Sequence, residues 1–280
     1  MKDDIDFKKK EPINGFNVIN HPNSNIFSIK LEENIVDIER LDWDSEILSK
    51  KIYRIQSIKL EDMNKSELIK KFLDVIKSNF KIDCLIYKTE FTNFQLIELL
   101  QKNNFIIIGI PVRLDIDLNQ IDLLNKDGYN SDFISDFRKE DVELLAGIAR
   151  DSFLHAYRYN DKNLDKNKVD DLYGSWIRNS CMSRADKVFV YLVNDAPEGF
   201  IACNLKNGYG LIDLISVSKD FRGKGIGEKL VLHSLLWFKN KGLSKVEVNT
   251  EGTNYSSLRI YQKNSFKIVG IGVNLSYWFN

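Results

Sequence analysis

Apolar residues recur at helical spacing over residues 65–79, where Leu68, Ile69, Phe72, Leu73 and Ile76 fall on one side. That stripe predicts an amphipathic helix with one buried face. Residues 226–240 pattern differently. Ile226, Leu230 and Trp237 share a face, while Val231, Leu235 and Phe238 cover another, which predicts a helix buried on several sides. Short β-favouring runs stand at 52–58, 85–87, 213–219 and 246–248. Two further helices are predicted to end at Lys102 and Lys263, with Asn93 and Asn254 as N-cap candidates. Residues 105–114 and 266–278 alternate or run apolar, and Gly109 and Gly270 interrupt them, which predicts two strands or a bulge in each. Residues 188–193 and 200–205 add two strands in front of the later set, joined by a turn at 194–199.

These elements come in two sets because the chain repeats itself. Shifting residues 83–114 by 161 positions lays them on 244–275, and thirteen of the 32 pairs are identical without a gap. Chance would give about two. The shared residues include Thr-Glu-x-Thr-Asn and Gln-Lys-Asn-x-Phe, and the same shift pairs the helices at 65–79 and 226–240. Each half therefore reads strand–helix–strand–helix–strand–strand, a mixed α/β arrangement. A polar stretch from 118 to 131, containing Gly128, is the expected linker.

The two copies differ most in one loop. In the later copy the strand at 211–217 leads into Ser-Lys-Asp-Phe-Arg-Gly-Lys-Gly-Ile-Gly, with Gly223, Gly225 and Gly227 at alternate positions and the cations Arg222 and Lys224 between or beside them. The corresponding residues 61–66 of the earlier copy read Glu-Asp-Met-Asn-Lys-Ser, with no glycine. Glycines without Cβ atoms let successive backbone N–H groups turn inward. The loop opens a helix at Ile226, so unpaired amides and the positive end of the helix dipole meet at one spot. Such a cradle suits a pyrophosphate. The spacing is neither a Walker loop, because Glu228 and Lys229 replace its ending, nor GxGxxG. Read alone, the loop is also compatible with a tight strand-to-helix turn.

Arg222-x-x-Gly225-x-Gly227 resembles motif A of the GNAT superfamily of N-acyltransferases, in which this loop holds the pyrophosphate of coenzyme A. Asn254, Ser257 and Tyr261 are similar to that superfamily's Asn-x-x-small-x-x-x-Tyr signature. The resemblance implies a tandem GNAT-like fold: a truncated half at 1–125 without a coenzyme site, then a complete domain at 134–280 with a central mixed, mostly antiparallel sheet. It also implies acyl-CoA as co-substrate, bound by Arg222, Gly223, Lys224, Gly225, Ile226, Gly227 and Asn254 and by backbone groups of Ile215 and Val217. Tyr261 is the expected general acid, protonating the departing thiolate. The earlier copy has Leu100 at that position, so the hydroxyl is specific to the glycine-bearing copy, although Tyr261 could equally fill a core site. Asp213, which strict alternation places on the face of Ile215 and Val217, and His155 are the candidate bases. An ordinary surface role for His155 remains open, and His233 reads as a partly buried structural histidine.

Residues 41–45 (Leu-Asp-Trp-Asp-Ser), Asp151-Ser152-Phe153, Asp171-Leu172-Tyr173-x-x-Trp176-Ile177-x-Asn179-Ser180 and Ile212-Asp213-Leu214-Ile215 look like dTDP-fucosamine acetyltransferases and their relatives. That narrower resemblance implies acylation of the amine of a nucleotide-linked amino-6-deoxy sugar, as in O-antigen or lipopolysaccharide assembly, by an enzyme that can pair as a homodimer. Residues 46–49 and 157–159 depart from that family, so the sugar and the acyl length stay open. For residues 41–45, a buried Trp43 beside a helix cap from Asp44 or Ser45 is the structural alternative. The rivals are a GNAT acting on a peptide N-terminus or another small amine, and a non-catalytic acyl-CoA sensor.

Composition narrows the setting. The 280 residues carry 40 basic and 40 acidic side chains, so no net field favours nucleic acid or an anionic membrane. The charged opening has no apolar stretch behind it, and no run reaches the ~18 residues of a membrane span, which predicts a cytoplasmic protein. Cys84, Cys181 and Cys203 are odd in number and dispersed, as expected of free thiols; neither a disulfide framework nor a metal site is expected.

Overall fold

The computed structural model describes residues 15–21, 24–61, 66–120 and 131–279. The charged opening, most of the earlier loop at 61–66 and most of the expected linker at 118–131 lie outside the described residues. The chain divides into two compact units, residues 1–109 with 272–280, and residues 110–271.

The first unit contains β1 (Asn17–Asn20), β2 (Ile26–Leu31), β3 (Asn34–Arg40), α1 (Asp42–Leu48), β4 (Ile52–Lys59), α2 (Ser66–Asn79), β5 (Cys84–Glu90), α3 (Phe94–Lys102) and β6 (Ile106–Gly109). Its strands run in the order β1-β2-β3-β4-β5, with residues 272–278 of the last strand antiparallel to β5. Among the described residues of this unit only β4 and β5 are parallel, joined by the crossover through α2. The stripe read from the sequence is the buried face: Leu68, Ile69, Phe72, Leu73 and Ile76 pack with Ile29, Ile38, Leu85 and Leu100 in one core.

The second unit contains β7 (Pro111–Asp117), β8 (Ile134–Asp136), α4 (Val142–Arg150), α5 (Tyr157–Asn160), α6 (Lys166–Asn179), β9 (Lys187–Val193), β10 (Ala196–Lys206), β11 (Tyr209–Val217), α7 (Ile226–Asn240), β12 (Lys245–Glu251), α8 (Tyr255–Lys263) and β13 (Lys267–Trp278), whose end belongs to the first unit. Its order is β13-β7-β12-β11-β10-β9-β8, antiparallel throughout except at β11–β12. Leu230, Val231, Leu235 and Phe238 of α7 are buried with Ile201, Ile212, Val246 and Val248, as a helix apolar on several sides requires. This is the mixed α/β arrangement that the sequence predicts.

The unit boundary differs from the one read from composition. β7 forms seven register pairs with β12, and its Val112, Leu114 and Ile116 lie in the second core, so the division falls before Ile110 rather than near 125. Hydropathy marks β7 as a strand but carries no information about which ladder it joins. The expectation of extra strands only before the later copy is likewise corrected. β2 and β3 precede β4, and the 161-residue shift lays them on β9 and β10, so the duplication extends further upstream than sequence identity reveals. Between β3 and β4 the first unit carries the seven-residue α1, where the second unit joins β10 to β11 through Asn207 and Gly208 alone.

Three local details also differ. The β9–β10 turn is confined to Asn194 and Asp195, both with positive φ, as a two-residue hairpin turn demands. Strand β11 stops at Val217, short of the predicted end at 219. Asp44 and Ser45 lie inside α1 and do not cap it; the Ser45 hydroxyl accepts from the Ile52 amide at 3.0 Å, fastening the helix to β4.

Candidate functional site

The two parallel strands at the centre of the second unit part company. β11 pairs with β12 only at Gly210, Leu211 and Ile212, whereas β10 follows β11 to Val217 on the other side. The register with β10 shifts at one point, pairing Ala202 with Leu214 and Cys203 with Ile212, so Asp213 is an extra, bulged residue. Beyond the bulge the Ser218 amide donates to the Glu198 carbonyl of the β10 side at 2.9 Å. Alternation then turns the amides of Ser216 and Leu214 the same way and those of Ile215 and Val217 outward, toward the edge that β12 has left. Ile215 and Val217 thus offer backbone groups along an open wedge.

The wedge leads into the glycine loop. Gly223 and Gly225 hold φ of +77° and +79°, the left-handed region that glycine enters without a Cβ penalty. Nothing lies within 4 Å of a Cβ built on either, so this part of the loop is open. Gly225 is the N-cap of α7 and has no side chain to cap with, leaving the amides of Ile226, Gly227 and Glu228 without intrahelical acceptors. Gly227 has a different task from the one its spacing suggests. It is buried in the first turn of α7, where an added Cβ would stand 3.0 Å from Ile260 Cδ1, so its smallness lets α8 approach. Lys224 is exposed, with its ammonium 4.2 Å from the Phe221 ring centroid.

Arg222 also departs from expectation. Its Nε donates to the Val217 carbonyl at 3.0 Å, and one terminal nitrogen donates to the Asp151 carbonyl at 3.2 Å and the Ser152 hydroxyl at 2.9 Å. Ser152 in turn bonds the Ser216 hydroxyl at 2.5 Å. The guanidinium therefore binds the end of β11 to the turn after α4.

Tyr261 projects from α8 into the second core, 2 % exposed, with the Phe266 ring 5.4 Å away. Burial pushes its phenol pKa up, so the hydroxyl stays protonated. Leu100 at the matching position in the first unit is 1 % exposed, so both copies use the position as core and only one adds a hydroxyl. Asn254 accepts from the Ser257 amide at 3.2 Å and from the Ser256 hydroxyl at 2.9 Å, capping α8. Asn93 fills the same cap position without a capping bond; its amide donates to Thr89 Oγ1 instead. The shared asparagine is not a shared cap.

Asp213 does not share a face with Ile215 and Val217. The bulge breaks the alternation, and its carboxylate turns to α6, accepting the Trp176 indole N–H at 2.9 Å with Arg184 Nε at 3.5 Å. Ile215 and Val217 pack against the opposite cluster under α7 and α8. Phe153 stacks on Tyr173 at 4.5 Å, Tyr173 on Trp176 at 6.0 Å, and the Arg184 guanidinium sits 4.8 Å over Trp176. Residues that the narrower resemblance singled out in three separate segments thus meet beside β11. The contacts themselves were missed, because no local pattern connects residues so far apart. His155 is exposed on the turn after α4, and His233 lies half-buried with Phe189 4.5 Å away and a pKa lowered by burial.

The open wedge between parting parallel strands, the uncapped glycine-lined helix start and the buried tyrosine on the next helix all lie within one stretch that matches a family profile. Residues 147–266 match the Acetyltransferase (GNAT) family profile. The spore coat polysaccharide biosynthesis protein SpsD of Bacillus subtilis is 25% identical over 126 residues, 45% of this chain and 44% of that one, so the match spans less than half of that relative. A GCN5-related N-acetyltransferase of Sphaerobacter thermophilus superposes over 92% of this chain and 82% of its own with a TM-score of 0.62 at 10% identity. A tandem GNAT protein from the clavulanic acid biosynthesis pathway covers 96% of this chain and 85% of its own with a TM-score of 0.53 at 11% identity. At such identities these structures establish the fold alone.

Proposed function

We propose that this protein is an enzyme that transfers an acyl group from acyl-CoA to the amine of a nucleotide-linked amino-6-deoxy sugar, the dTDP-linked sugars being the first to test. The single observation that carries the acyl-CoA part is the parting of β11 from β12 after Ile212, which leads outward-facing backbone straight to the Gly223–Gly225 loop. In this reading the coenzyme's diphosphate meets the amides at the start of α7, where the positive dipole end favours an anion. Its pantetheine arm runs along Ile215 and Val217, and an amide there polarises the thioester carbonyl, a contribution of about 3 kcal/mol.

The amine nitrogen attacks the thioester carbon directly, the C–S bond breaks, and the sulfur takes the Tyr261 proton. Burial keeps the phenol protonated, so a proton is present to donate, and makes it a weaker acid than a free tyrosine. The proton lost by the amine goes to water or to His155, the remaining candidate base. The sugar assignment is supported by the motif residues gathered around Trp176 and by the similarity to SpsD, whose name places that protein in polysaccharide biosynthesis.

Free thiol release tests this. Acetyl-CoA mixed with the protein and dTDP-4-amino- or 3-amino-6-deoxy sugars should liberate coenzyme A, whereas peptides and polyamines should not. Release only with peptides or polyamines would move the acceptor to another class. Tight acetyl-CoA binding without release for any acceptor would make the protein a sensor.

A further inference from the structure

Arg222 opens the glycine loop, yet its guanidinium is spent on protein groups. Its three bonds, to the carbonyls of Val217 and Asp151 and to the Ser152 hydroxyl, fix the turn after α4 against the end of β11. The same turn continues into Phe153, which stacks on Tyr173; Tyr173 stacks on Trp176, and Trp176 returns to β11 through Asp213. These contacts form a closed ring that starts and ends on one strand. Asp213 sits at the bulge where β11 and β12 separate, so its hydrogen bond ties the half-buried Trp176 to the residue at which the wedge opens. On the acyltransferase reading, an acceptor that approaches a thioester in the wedge from the α6 side would pass this stack.

We infer that Arg222 is a positioning residue: it holds the 151–153 turn, and through Phe153 the Tyr173–Trp176 stack, in register for the acyl acceptor, and it is not a ligand of the coenzyme's phosphates. The inference rests on the acyltransferase reading. A planar guanidinium can serve three acceptors at fixed angles, which an ammonium cannot, so a lysine would keep the charge and lose the ring. A phosphate ligand behaves in the opposite way, since charge alone preserves most of its effect and its removal flattens the salt dependence of coenzyme binding.

The test compares wild type, Arg222→Gln, Arg222→Lys and Phe153→Leu as full chains, by acetyl-CoA titration at low and high salt and by amide hydrogen exchange. Arg222→Gln should leave the acetyl-CoA Kd within twofold and its salt dependence unchanged, while exchange at 151–155 and 173–176 accelerates at least tenfold. Arg222→Lys should fail to restore that protection, and Phe153→Leu should reproduce the loss at 173–176 alone. With a dTDP-amino sugar that is turned over, both Arg222 variants should raise its KM at least fivefold. A tenfold weaker acetyl-CoA Kd in Arg222→Gln, rescue by lysine, or unchanged exchange at 151–155 would each overturn the inference. Absence of acetyl-CoA binding by the wild type would instead remove the underlying reading.

Discussion

The Trp176 indole donates to Asp213 Oδ2 at 2.9 Å, and Arg184 approaches the same oxygen at 3.5 Å. That carboxylate is committed to holding α6 on the bulge of β11, so it is poorly placed to relay protons from an amine. Asp213→Asn keeps an acceptor for the indole and loses the ion pair with the half-exposed Arg184, which is worth ~1 kcal/mol or less. The expected outcome is a fall in kcat of less than about tenfold, with the acidic limb of the pH–rate profile unmoved. Loss of that limb, measured across the profile, would restore Asp213 as the base.

Tyr261→Phe removes one oxygen from a buried ring. It should lower kcat about 100-fold while leaving the acetyl-CoA Kd within twofold, as expected of a group that acts in the transition state. Steady-state rates and equilibrium titration check the two halves separately.

The same phenol makes an alkaline prediction. Burial raises its folded pKa above the unfolded value, so the native state holds the proton more tightly. The associated stability is whole below about pH 10 and is lost as pH rises through the folded value. Denaturant melts between about pH 9 and pH 11 should therefore show a smaller decline for Tyr261→Phe than for wild type.

The duplicated asparagines provide a matched pair. Asn254→Ala removes a capping bond to the Ser257 amide and should cost about 1 kcal/mol. Asn93→Ala removes only an exposed side-chain contact with Thr89 and should cost a few tenths. Chemical denaturation of the two variants measures both.

The thiols should be silent in the native state. Cys84 and Cys203 are 1 % and 0 % exposed, burial raises the Cys203 pKa, and Cys181 is pushed up to about 12 by burial. A thiol reagent at about pH 8 should find almost no thiolate in the folded protein and three thiols after unfolding.

Much of the fold was legible because the elements repeat. The α2 stripe, the helices ending at Lys102 and Lys263 and the strands beside them follow from spacing, and the glycine loop stands out because its earlier counterpart has none. Two kinds of information were not local. A one-residue bulge moves Asp213 to the other face, and strict alternation has no means of anticipating it. Arg222 looks like a phosphate ligand in its motif, but its partners Asp151 and Ser152 stand 71 and 70 positions away. β7 reads correctly as a strand, and only the ladder with β12 assigns it to the second unit.

The central claim is that one loop, in one copy, receives the diphosphate of an acyl-CoA. The most direct measurement is an acetyl-CoA titration of wild type and Gly225→Glu by calorimetry, with melting curves for both. At φ +79° the glutamate costs about 1–2 kcal/mol of backbone strain and sets a carboxylate where the phosphates would lie, so cooperative melting should survive. The account predicts one acetyl-CoA per wild-type chain and at least ~100-fold weaker binding by the variant. Equal affinity in the folded variant, or two molecules bound per chain, would contradict it.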